Sequence, residues 1–154
     1  MLLSERLTSL GLSLPATQPP LAAYVPARLA GGLLYLSGHV SRAGGEVVSG
    51  VVGGDVDVQT AQSLARSIAL DLLASAAAAT GAVDRITGVA RLTVYVRSAP
   101  GFSGQPSVAN GASDLLVELF GDPGRHARSA VGVSELPLGA AVEIEAILEV
   151  SGTG

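Results

Sequence analysis

The nine residues from Val142 to Val150 restrict the fold more than any other stretch of this chain. Val142, Ile144, Ala146 and Leu148 alternate with Glu143, Glu145, Ile147 and Glu149. A period of two sends one set to each side of a β-strand, whereas a helix would scatter both sets around its circumference. The chain therefore needs a sheet with one apolar face against a covering layer and one acidic face, with Ile147 the exception on the acidic side. Just upstream, Ala127 to Val133 is small and β-branched, and Glu135-Leu-Pro-Leu-Gly139 is turn chemistry, so the whole segment reads as a hairpin. Arg128 in one strand and Glu143 in its partner would then approach across the sheet, a guanidinium fork for a carboxylate beside a proton handler. The same residues also suit an ordinary surface ion pair worth less than about 1 kcal/mol, and local pattern alone favours that plainer reading.

Helical spacing supplies the covering layer. From an N-cap at Asp57 to a stop at Gly81, the residues Ala61, Leu64, Ala65, Ile68, Leu72, Leu73 and Ala76 recur at three- and four-residue intervals. A second helix is predicted over Val108–Phe120, and Ile86–Arg97 between the two reads as a long strand. Nearer the N-terminus, Ser4–Leu10 reads as a short helix ended by Gly11, and Pro15 to Pro20 breaks the chain. Tyr24–Leu29 and Leu33–Ser37 read as strands joined at Ala30-Gly31-Gly32, and a turn at Ser41–Gly45 leads to a third strand at Glu46–Val48. The order β-β-β-α-β-α-β-β predicts an α+β fold with two main helices on one face of a mixed sheet. Residues 1–19 are expected to form a helical extension and 20–151 a single domain.

Composition narrows the function classes. Hydrophobic residues make up 48% and charged residues 14% of the 154, an apolar surplus that points to a covered subunit interface. A net charge of −4 argues against an extended phosphate-binding surface and disfavours nucleic acid as a partner, leaving only a small basic patch at Arg125, His126 and Arg128. With no cysteine, disulfide, thiolate and cysteine–zinc chemistry are excluded. The charged start Met1–Leu7 is unlike a secretory signal, and the apolar stretch from Leu72 to Val83 is too short to span a bilayer, so a cytoplasmic protein with no membrane partner is expected.

The stretch Ala127-Arg-Ser-Ala-Val-Gly-Val-Ser-Glu-Leu-Pro-Leu138, followed by Val142-Glu-Ile-Glu-Ala-Ile147, resembles the C-terminal signature of the RidA/YjgF, or L-PSP endoribonuclease, family. Tyr24-Val25 followed by Gly32-Leu-Leu-Tyr-Leu-Ser-Gly38 is similar to that family's early strands. The likeness runs from about Pro20 to Val150 and rests on order and spacing together. It implies a chorismate-mutase-like fold and a homotrimer with clefts between subunits. It also implies hydrolytic deamination of reactive 2-imino and 2-enamino acids to 2-oxo acids and ammonia, without metal or organic cofactor. The implied partner is a small 2-imino or 2-oxo carboxylate.

Carried over by position, the resemblance makes Arg128 the carboxylate anchor and Glu143 the group that places water or relays a proton. Tyr24, Ser37, Gly38 and Asn110 would line the cleft, and the Ala130 carbonyl would hold water. A guanidinium suits the anchor because its planar fork meets a carboxylate through two parallel hydrogen bonds and keeps its charge in a cleft. Tyr24 also reads as a core aromatic, Ser37-Gly38 as a strand end and Asn110-Gly111 as a turn or cap. Departures mark a divergent branch: Ala130 replaces a frequent cysteine, His39 a usual glutamine, and Arg125-His126 adds polar bulk before Arg128. A non-catalytic trimeric protein that binds small carboxylates is the alternative, and an endoribonuclease the third reading. Arg128 and Glu143 are expected to face one cleft closed by a neighbouring subunit. His39 and His126 lack the spacing of metal ligands, Asp55 and Asp57 read as helix-start residues, and Gly53-Gly54 lacks the lysine of a phosphate loop.

Overall fold

A computed structural model describes residues 1–17, 19 and 22–152; Pro20, where the main domain is expected to begin, lies outside the described residues, as do Gln18 and Leu21. Helix α1 (Leu3–Ser9) buries Leu3 and Leu7 in the same core as the rest of the chain, and Ser4 donates from both its backbone N–H and its hydroxyl to the Asp84 carboxylate. Strands β1 (Ala27–Ala30) and β2 (Leu33–Val40) form the expected hairpin. Its turn uses Gly31 and Gly32 at φ 59° and 78°, a left-handed conformation that glycine adopts without a steric penalty. Tyr24 lies ahead of β1, in a bend. The predicted third strand is reduced to a two-stranded ribbon, β3 (Arg42–Ala43) and β4 (Glu46–Val47), outside the main sheet.

Helix α2 (Val58–Thr80) begins where predicted, with the Asp57 carboxylate accepting from the Thr60 N–H at 2.7 Å, and ends at Gly81 with φ 82°. Helix α3 (Gln105–Phe120) starts three residues before its predicted position. Pro106 sits in its first turn, where the missing N–H has no intrahelical partner to lose. The two helices lie against each other and cover one face of a five-stranded sheet.

That sheet has the order β1-β2-β7-β5-β6, with β5 (Ile86–Arg97) parallel to β6 (Ala127–Val133) and antiparallel to β7 (Val142–Val150). The terminal hairpin read from the sequence is thereby corrected: β6 and β7 flank β5 on opposite sides and do not pair. The connecting segment crosses the end of β5, held by Arg97, whose backbone N–H donates to Ala141 and whose Nη1 donates to the Gly139 carbonyl. Leu138 takes a φ of 60° within this crossing.

Alternation along β7 and β5 does decide the faces. Ile144, Leu148, Leu92, Val94 and Val96 are buried against the helices, each such side chain stabilising the fold by about 2 kcal/mol. Glu143, Glu145, Tyr95, Thr93 and Arg91 occupy the other face, which no layer covers among the described residues. Among the described residues, no helix is long and apolar enough to cross a membrane.

Candidate functional site

Arg128 enters from the sheet's outer edge. It stands opposite Leu92 in register, so its side chain leaves on the helix-covered side of β6. There Nη1 donates to the Asn110 Oδ1 at 2.8 Å and to the Ser113 Oγ at 3.1 Å, both on α3. Those two bonds use both hydrogens of Nη1. Among the described residues Nε and Nη2 have no partner, and this edge of the guanidinium presents two parallel donors of the kind that grip a carboxylate. Ala130, two residues on, packs its methyl against the core from the same edge strand.

Glu143 lies on the uncovered face of β7, opposite Val40 on one side and Tyr95 on the other. Burial, and then the charge of Glu145, raise its carboxyl pKa above the ordinary value. Gly38 makes room for it: a Cβ at that position would stand 2.9 Å from Glu143 Oε1 and 3.1 Å from its carboxyl carbon. The register of β2 slips between Leu36 and His39, placing Ser37-Gly38 in the irregularity. Ser37 donates from its hydroxyl to the Val25 carbonyl at 2.6 Å and from its N–H to the Pro26 carbonyl at 2.9 Å, so it pins the segment that carries Tyr24. Tyr24 and Ser37 then line an open cavity of about 530 Å³ with Arg28, Tyr35 and Glu145.

The sequence-predicted residues thus fall into two groups. Arg128 and Asn110 touch at one edge of the sheet, with Ala130 beside them, and Tyr24, Ser37, Gly38 and Glu143 gather on the uncovered face around β2 and β7. Strands β2 and β6 are three spacings apart, about 14 Å. Arg128 and Glu143 project from opposite faces, so within one chain they share no cleft.

Two neighbours of these residues, Tyr95 and Ser113, were not singled out by the sequence. Tyr95 donates to Glu145 Oε1 at 2.9 Å, and that bond, followed by burial and the Glu145 and Glu143 charges, raises its phenol pKa. Ser113 follows Asn110 by three residues, the spacing that puts two helical side chains on one face, and this signal was available. His39 turns to the helix side, 3.2 Å from the Ser75 hydroxyl, with its imidazole pKa lowered by burial and then by Arg42.

The model of the endoribonuclease L-PSP family matches residues 15–150. The chain belongs to this family, also called RidA/YjgF. Protein TCP17 of Trypanosoma cruzi is 42% identical over 96% of this chain and 94% of its own length. A 2-iminobutanoate/2-iminopropanoate deaminase of Dermatophagoides farinae is 30% identical over 89% of this chain and 93% of its own. Among solved structures, a protein of unknown function from Agrobacterium tumefaciens is 44% identical with a TM-score of 0.87, covering 97% of this chain and 92% of that one. The mixed sheet backed by helices is the RidA/YjgF fold.

Proposed function

We propose that this protein hydrolyses 2-imino and 2-enamino acids to 2-oxo acids and ammonia in the cytoplasm, at clefts between the subunits of a homotrimer. The observation that carries the reading is the held Arg128, whose Nη1 is taken by Asn110 and Ser113 while a two-donor edge stays available for a carboxylate. The likeness to the Dermatophagoides farinae deaminase supports the choice of substrate class.

Association supplies what one chain lacks. The Arg128 edge of one copy against the Tyr24 and Glu143 face of the next would assemble both groups around one substrate. The uncovered face, with Tyr35 and Val131 each 44% exposed, gains a cover in the same step. The substrate carboxylate pairs with Arg128, which draws electron density from the adjacent C=N carbon. Glu143, its pKa raised by burial and by the Glu145 charge, takes a proton from water as the oxygen attacks the carbon of the protonated imine, forming a neutral carbinolamine. The same carboxyl returns that proton to nitrogen and then takes the hydroxyl proton as the C–N bond breaks, so ammonia leaves with the 2-oxo acid behind it.

The test generates 2-iminopropanoate and 2-iminobutanoate in situ and follows their decay. The expected result is faster ammonia release with wild type, loss of turnover and of 2-oxo acid binding with Arg128→Ala, and a larger loss of kcat than of binding with Glu143→Gln. Binding of 2-oxo acids without any acceleration would replace the enzyme reading with the carboxylate-binding one.

A further inference from the structure

Arg128 is supported by a chain of hydrogen bonds whose directions follow from one another when the His126 imidazole is neutral. His126 Nδ1 lies 2.6 Å from the Gly124 carbonyl, which can only accept, so Nδ1 carries the proton and donates. In the neutral imidazole Nε2 is then the acceptor. It stands 2.9 Å from Ser113 Oγ, so the serine hydroxyl must donate to it. That leaves the Ser113 oxygen's lone pairs to accept from Arg128 Nη1 at 3.1 Å. Both ends of the chain rest on α3. Ser113 belongs to it, and Gly124 is buried against it, so close that a Cβ there would stand 2.9 Å from the Leu116 carbonyl carbon and 3.0 Å from the Val117 Cα. Arg125, the other basic residue of the segment, turns away to Asp122 at 3.4 Å.

We propose that His126 and Ser113 are positioning residues for Arg128, acting in series to fix which edge of its guanidinium meets the ligand. The inference rests on the reading of Arg128 as the carboxylate anchor. A helical serine without an outside acceptor donates to the carbonyl one turn back. With His126 removed, the Ser113 hydroxyl has that alternative, its oxygen leaves Nη1, and the guanidinium, held then by Asn110 alone, rotates more freely about its last torsion. With His126 present, Nη1 is saturated and only the Nε–Nη2 edge is offered. This gives the polar residue two positions before the anchor a definite task, although it never touches the substrate.

The experiment measures Kd for 2-oxobutanoate by calorimetry and KM and kcat for 2-iminobutanoate, with thermal unfolding of each variant to verify folding. His126→Leu is expected to raise Kd and KM by about tenfold, the scale of one hydrogen bond to a charged group, with kcat within about twofold of wild type. His126→Gln, which keeps an acceptor near the Nε2 position, restores most of the loss. Ser113→Ala weakens binding as His126→Leu does, and the double variant is no weaker than Ser113→Ala alone because the two act in series. Wild-type Kd in His126→Leu, a glutamine variant as weak as the leucine one, or additive losses in the double variant would each overturn the inference. If Arg128→Ala binds 2-oxobutanoate as wild type does, the anchor reading fails and takes this inference with it. Loss on Arg128→Ala with no change on His126→Leu overturns the inference alone.

Discussion

Replacing Gly111 with alanine tests the close approach of the two helices that carry the Arg128 support. In an exposed helix the change would stabilise by about 1 kcal/mol, because alanine loses less backbone entropy on folding than glycine. Here the new Cβ would lie 2.8 Å from the Gln62 carbonyl carbon, 3.0 Å from its Cα and closer still to its carbonyl oxygen, where ordinary contact begins at 3.4 Å. All three are backbone atoms of α2, so no change of rotamer relieves the overlap, and the helices must part by about 1 Å. A gap of that order forfeits about a quarter to a half of each dispersion contact along the seam. Val108, Ala112, Leu115, Ala61 and Ala65 are all fully buried. Overpacking of a core costs about 1–3 kcal/mol, and a clash between two backbones belongs at the upper end. After the propensity gain, the expected net loss is about 2 kcal/mol, or a fall in Tm of roughly 4–8 °C for a chain of this size. Urea unfolding followed by circular dichroism should show a lower midpoint with an unchanged slope. Gly31→Ala is the control: its φ is 59° and nothing lies within 4 Å of the new Cβ, so it carries only backbone strain of about 1–2 kcal/mol and leaves 2-oxo acid binding intact. Gly111→Ala should weaken binding as well, since Asn110 and Ser113 move with α3. A Gly111→Ala protein as stable as wild type, or more so, would refute the reasoning.

Gly38→Ala should leave the fold nearly as stable as wild type, because the obstructing atoms are the end of the Glu143 side chain. It should lower kcat by displacing that carboxyl, and equal kcat in steady-state assays would mean that Glu143 need not lie over Gly38. Because the folded-state pKa of Glu143 is raised by burial and by Glu145, the folded chain binds that proton more tightly than the unfolded one. Its contribution to stability is full below the ordinary carboxylate pKa of 4.5 and is lost as pH rises through the higher folded value. Glu143→Gln should flatten that decline and be the more stable protein near neutral pH, as read from urea midpoints over a pH series; an unchanged slope would assign the decline to another group.

Local rules carried the elements far and their neighbours only part of the way. The two-residue period of Val142–Val150 determined which side chains are buried, and the caps at Asp57 and Gly81 determined α2 almost to the residue, because both signals act over a few bonds. Helix α3 starts earlier than its apolar spacing showed because Pro106 occupies the first helical turn, which tolerates a proline. The hairpin failed for a different reason. Alternation states the face of a strand but not its partner, and the turn chemistry at Glu135–Gly139 serves a crossing over β5 as readily as a tight reversal.

The same division holds at the site. The sequence by itself determined the α+β class, the family, and that Arg128 and Glu143 are the charges to examine. Only the tertiary structure decided that they leave the sheet on opposite faces, that Gly38 yields space to one and that Asn110, Ser113 and His126 support the other. Those relations join segments up to about a hundred residues apart. They depend on how β5 is inserted and how closely α3 approaches β6, which side-chain packing summed over the whole core sets and no local period encodes.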